Sequence, residues 1–161
     1  MGSRRFKNLI AASAAAIAVA SSAHAACSED QVSMRGGFGE AEFNVAVADS
    51  IAERSRGLMF VESMGTMEGM LFVYRVPQSV SFWMRNTLIP LDMIFVDKDG
   101  VVRNIHSMAQ PLDETPIYGG EGIKFVLEIN GGMAERLGLA VGDQMQHPQF
   151  GADAIWPCDV N

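Results

Sequence analysis

Leu91-Asp92-Met93-Ile94-Phe95-Val96-Asp97-Lys98-Asp99-Gly100-Val101-Val102-Arg103-Asn104-Ile105 is the stretch that decides the fold class. Two apolar runs flank Asp97-Lys98-Asp99-Gly100, where glycine supplies the positive φ of a tight turn, so the segment predicts a β-hairpin. On its N-terminal side, residues 41–48 alternate apolar and polar side chains with the period of a half-buried strand. Asp49 or Ser50 can then cap Ile51-Ala52-Glu53-Arg54-Ser55-Arg56, with Glu53 completing a capping box and Gly57 stopping the helix. Residues 69–74 and 80–84 are short apolar runs around Pro77, read as two strands or as a strand and a tight corner. Towards the C-terminus, 111–122 read as a proline-containing loop ending in the flexible turn Gly119-Gly120-Glu121-Gly122, and 123–129 as a strand. Gly132-Met133-Ala134-Glu135-Arg136-Leu137 reads as a short helix stopped by Gly138, and 141–146 as a strand that closes the sheet. Six or seven strands with two short helices, in no regular alternation, predict an α+β, mostly β fold: a compact barrel-like roll rather than a doubly wound parallel sheet.

The ends of the chain bear on destination. Arg4, Arg5 and Lys7, the apolar run 9–20 and Ala23-His24-Ala25 form the basic, apolar and cleavage regions of a secretory signal over 1–25. The apolar run falls short of the roughly 20 residues that a spanning helix needs, and no later stretch approaches that length. Sec export is the default, with Arg4-Arg5 leaving the twin-arginine route open; His24 stands where a lipoprotein signal places an aliphatic residue before Cys27. Cleavage removes three basic and no acidic residues, leaving nine against 19 and a formal charge near −10. Such a surface repels phosphate backbones, which argues against a nucleic-acid partner and leaves an envelope partner or a small polar ligand. Cys27 and Cys158 bracket the mature chain, and an oxidising compartment favours a disulfide between them over two free thiols. The division expected is signal 1–25, a loose N-terminal arm over 26–40 and a single domain over 41–161.

Several motifs occur in a fixed order: Arg56-Gly57-Leu58-Met59, Gly69-Met70-Leu71-Phe72-Val73, Phe82-Trp83-Met84-Arg85-Asn86-Thr87, Pro90-Leu91-Asp92-Met93-Ile94-Phe95-Val96 and Val126-Leu127-Glu128-Ile129-Asn130-Gly131-Gly132. Together they resemble the domain of unknown function 192 family over about residues 43–145, with Arg85 standing where the family often has lysine. The resemblance implies a compact barrel-like β fold and no particular activity.

Trp83, Arg85, Asn86, Thr87 and Asp92 put an indole, a guanidinium, an amide, a hydroxyl and a carboxylate within a short span, the groups that a small polar ligand needs, with Arg56 as a further cation. Against this stands a structural reading in which Trp83 packs and Asn86, Thr87 and Asp92 bond the backbone around Pro90. Arg56 equally suits the carbonyl end of a short helix. Asp92 with Glu128 is the candidate acid–base pair of a small envelope hydrolase. Met64, Met67 and Met70, spaced by three, are candidate thioether ligands for Cu(I), or core gap-fillers. His106 and His147 lie far apart with no ligand-spaced neighbour, no nucleophile elbow or phosphate loop is present, and no cofactor is implied. The favoured reading is an exported binding or accessory module rather than an enzyme.

Overall fold

In the computed structural model, which describes residues 27–158, the chain runs β1 (Gln31–Gly36), β2 (Gly39–Ala48), α1 (Ile51–Arg56), β3 (Glu68–Phe82), β4 (Leu91–Asp97), β5 (Val102–Ala109), β6 (Ile117–Asn130), α2 (Met133–Leu137) and β7 (Gln144–Gln146). The expected signal over 1–25 lies outside the described residues. All seven strands join one curled sheet in the order β5-β4-β6-β3-β2-β1-β7. Every pairing is antiparallel except β2 with β3, where α1 provides the crossover that a parallel pair requires. The two outer strands approach at the turn of the deciding hairpin: Met145 N donates to Gly100 O at 2.8 Å and Val102 N to Asp143 O at 2.9 Å. The sheet is thus a mostly β half-barrel with two short helices, as the hairpin and its neighbours predict.

Every residue of β4 is buried, because the sheet packs a core on each face. On one face, Val32, Met34, Phe43, Leu71, Ile94, Phe125, Leu127 and Ile129 form a cluster that α2 covers with Met133 and Ala134. On the other, Phe72, Val80, Met84, Met93, Phe95 and Val126 form a second cluster, roofed by Leu58 and partly by Val61 and Met64 from the segment after α1. Fully burying each such side chain contributes about 1.5–3 kcal/mol, so a strand committed to both faces needs apolar residues in succession. That is why 91–96 reads as a run and not an alternation. Which face a residue joins follows from register: Met93 and Met70 both pair with Glu128, whereas Asp92 pairs with Ile129.

Three expectations are corrected. The loose arm over 26–40 is instead mostly β1 and the hairpin into β2, with Val32 and Met34 fully buried in the first core; its glycines serve the turn, not a mobile tail. The two runs around Pro77 are one strand, β3, whose register against β6 shifts between Val73 and Gln78, so the proline sits at an irregularity that needs no ladder donor. The loop read over 111–122 ends at Pro116, and Gly119-Gly120-Glu121-Gly122 belongs to β6, where a Cβ on Gly119 would lie 2.2 Å from the Phe95 ring. Cys27 and Cys158 are joined, with Cα atoms 5.7 Å apart, closing a separation of 131 residues. No helix among the described residues is long and apolar enough to cross a membrane.

Candidate functional site

α1 begins as its sequence dictates. Ser50 accepts from Glu53 N at 3.2 Å while the Glu53 carboxylate accepts from Ser50 N at 3.0 Å, and Gly57 ends the helix at φ 50° against the Phe72 ring. The six-residue helix is pinned to the sheet by Arg54, whose guanidinium donates to Val73 O at 2.8 Å and to Asp49 O, and lies 5.2 Å from the centre of the Tyr74 ring. Between α1 and the second face of the sheet is a cavity of about 200 Å³. Its lining includes Arg54, Ser55, Arg56, Phe72, Tyr74, Phe82, Trp83, Thr87 and Glu128. Phe72 and Phe82 meet edge to face at 5.1 Å, which fixes the aromatic floor.

Glu128 stands out in this lining. It is only 4 % exposed, and burial alone pushes its carboxyl up to about 8. Among the described residues no hydrogen bond or ion pair engages it. It lines the cavity instead. Burial raises the Tyr74 hydroxyl, and the neighbouring Glu128 charge adds to that while Arg54 opposes it, so phenol, acid and cation share one small space. Gly69 lets β3 approach closely enough to seat Glu128: a Cβ there would lie 2.4 Å from the Glu128 carbonyl oxygen. Arg56, exposed at the cavity mouth, forms no ion pair among the described residues.

Of the residues singled out from sequence, the cavity gathers Arg56, Trp83, Thr87 and Glu128 and leaves out Arg85, Asn86 and Asp92. Arg85 is exposed, its guanidinium 5.4 Å from the Trp83 ring centre. Asn86 takes φ 54°, a left-handed turn that asparagine tolerates, and its carbonyl accepts from Phe60 N at 2.8 Å. Thr87 is held by a hydrogen bond from its hydroxyl to Arg85 O at 3.3 Å. Asp92 is fully buried and already occupied: it accepts from Met108 N at 2.8 Å, Gly132 N at 2.9 Å and Ala134 N at 2.7 Å. It ties β5 and the start of α2 to β4, so Asp92 bonds backbone as the structural reading expects, whereas the Asn86 side-chain amide lies 3.9 Å from Met59 Sδ and bonds no backbone group among the described residues.

The register also separates the candidate acid–base pair. Asp92 points to the first core with its partner Ile129, and Glu128 points to the second with Met93, so the two carboxyls occupy opposite sides of the sheet. No substrate bond reaches both. The methionine trio is divided as well: Met64 and Met70 pack against the second core and Met67 against the first. Sequence reasoning missed Arg54 and Tyr74. Two signals were present: a lone acid in the apolar run 125–129, and Phe72-x-Tyr74, which period-2 alternation places on one face.

A wider groove of about 630 Å³, lined by Pro77, Asp97, Arg103, Tyr118 and the 119–122 glycines, is more open to solvent. Its buried acid is taken up, since Asp97 accepts from Asp99 N at 2.9 Å, Val101 N at 3.0 Å and Arg103 Nε at 2.6 Å. The groove therefore lacks the unmet bonding capacity of the Glu128 cavity.

Among solved structures, a protein of unknown function from Novosphingobium aromaticivorans is 46% identical, covering 71% of this chain and 82% of its own, with a TM-score of 0.70. A Sinorhizobium meliloti protein, provisionally described as a transcription regulator, is 35% identical, covering 76% and 95%, with a TM-score of 0.71. No curated protein matches the chain. The model of the DUF192 family, described as an uncharacterized ACR, matches residues 32–147, from the first core strand to the residue after β7. Shared fold and family model agree, and the chain belongs to the DUF192 family.

Proposed function

We propose that this is an exported module that binds a small polar ligand in the cavity between α1 and β3, with Glu128, Thr87, Tyr74, Trp83 and Arg56 as contact groups. The observation that carries this is Glu128: a carboxyl only 4 % exposed that lines the cavity with no described hydrogen-bond or ion-pair partner is disfavoured in its charged form, a cost that a ligand can return. The cavity also combines aromatic walls with a few convergent polar groups, the usual constitution of a ligand site. Export is supported by the 1–25 signal pattern and by a terminal disulfide that suits an oxidising compartment such as the periplasm.

The test is native mass spectrometry of protein purified from the periplasm, comparing the parent with Ser55→Trp, which fills the cavity from an exposed helix position. A bound mass present on the parent and absent from the variant is expected. Absence of any bound mass on the parent, together with no small-molecule shift of its melting temperature in a metabolite screen, overturns the reading. Recovery of the mature chain in the cytoplasm with reduced Cys27 and Cys158 overturns the export part alone.

A further inference from the structure

We infer that the ligand is a small amphoteric molecule of the amino-carboxylic acid class, its ammonium placed against Glu128 and its carboxylate against Arg56, an inference that rests on the cavity reading above. The argument is one of unmet partners. The cavity holds one buried acid and, at its mouth, one exposed guanidinium, and no described residue pairs either of them. The other cation, Arg54, is spent on Val73 O and Asp49 O. A purely anionic ligand meets Arg56 but leaves the Glu128 carboxyl without a partner. A purely cationic ligand meets Glu128 but must pass two guanidiniums. A molecule with both charges satisfies both ends, so each charge it gives up from water finds a partner in the cavity.

Size and wall chemistry agree. About 200 Å³ is the room of roughly six or seven liquid-water volumes, which suits a molecule with one short side chain. The floor of Phe72 and Phe82 offers that side chain an apolar seat, and Tyr74 adds an aromatic ring to the lining, with Arg54 5.2 Å from its centre. With no counter-charge beside it, the Glu128 carboxyl favours its protonated form at neutral pH, because burial pushes it up to about 8. Docking of the ammonium ionises it, and the proton leaves to solvent. The groups facing this exchange are Tyr74 and the Arg54 guanidinium beside it, with Arg56 at the mouth.

The experiment is isothermal titration calorimetry of the mature, disulfide-intact chain at neutral pH with three matched probes: L-leucine, 4-methylpentanoate, which lacks the ammonium, and 3-methylbutylamine, which lacks the carboxylate. Leucine is expected to bind at least about tenfold tighter than either analogue, the worth of one charge-assisted hydrogen bond. Its heat should vary with buffer ionisation enthalpy, reporting release of a proton. Glu128→Gln should weaken leucine while leaving 4-methylpentanoate unchanged, and Arg56→Gln, at an exposed position, should weaken leucine and 4-methylpentanoate while sparing 3-methylbutylamine. Equal binding of leucine and either analogue overturns the amphoteric class but leaves the cavity reading standing. Binding of none of the three also overturns the class, and the bound-mass comparison with Ser55→Trp then decides the cavity reading separately.

Discussion

Asp92 and Glu128 sit on adjacent strands, one residue apart in register, and both are buried acids, yet they do opposite work. Asp92 turns into the first core and spends its oxygens on three backbone N–H groups from Met108, Gly132 and Ala134. Glu128 turns into the second and meets a cavity. A buried acid with all its bonds made is part of the scaffold, whereas one with its bonds unmade is a standing cost that folding alone does not reward. The pair teaches that residue type and burial do not mark a functional group; the fate of its lone pairs does.

The sharpest way to break this contrast is Asp92→Ala. It would strand three backbone donors at the junction of β4, β5 and α2, and a loss of about 3–5 kcal/mol in chemical denaturation is expected, since removing one partner of a buried charged network leaves the others unsatisfied. A loss under 1 kcal/mol would mean that Asp92 is not the joint described.

Glu128→Gln should act in the other direction. The folded carboxyl, up at about 8 from an ordinary 4.5, keeps its proton where the unfolded chain has lost it. Between those two values the folded state binds more protons, so this group lowers stability as pH rises through that window and the cost is complete above it. Glutamine cannot ionise and escapes the cost. Parent and variant should therefore be equally stable near pH 4 and diverge with rising pH, the variant being more stable by about 2–4 kcal/mol above pH 8, with water in the cavity holding the gain below the full shift. Urea titrations at four pH values read this directly, and a pH-independent difference sinks the assignment.

How much of this was legible in the sequence follows from the range of the interactions involved. The β4–β5 turn and α1 rest on contacts between near neighbours, such as Gly100 at the turn and Ser50 with Glu53 in the capping box, and the turn, β4 and α1 were readable to within a residue, whereas β5 runs to Ala109, four residues past the run read from sequence. β1 was misread because the burial of Val32 and Met34 depends on β2 and β7, the latter more than a hundred residues away. Four of the five contact groups, Arg56, Trp83, Thr87 and Glu128, were named from sequence, because those side chains are chemically conspicuous. Asp92 was placed there wrongly for the same reason. Its face was fixed by a register against β6 that no local pattern encodes, since a strand buried on both sides shows no alternation to read. Tyr74 and Arg54 reach the cavity only through pairings of β3 with β6 and the docking of α1, and are conspicuous only afterwards.

The smallest expected effect sharpens the contrast most finely. Ser50→Ala removes half of the capping box, the acceptor for Glu53 N, and a helix of six residues has no other internal reserve. Global stability should fall by only about 1 kcal/mol. That same energy, applied locally, raises the open population of α1 by a factor of about five, which hydrogen exchange at the 54–57 amides would show while the β4 and β6 amides stay protected. Because α1 carries Arg54 and Arg56, any ligand of the cavity should bind several-fold more weakly to this variant, though Ser50 does not line the cavity. An equal rise in exchange across β4 would show instead that α1 and the Asp92 end open as one unit, and that the scaffold and the site are not energetically separate.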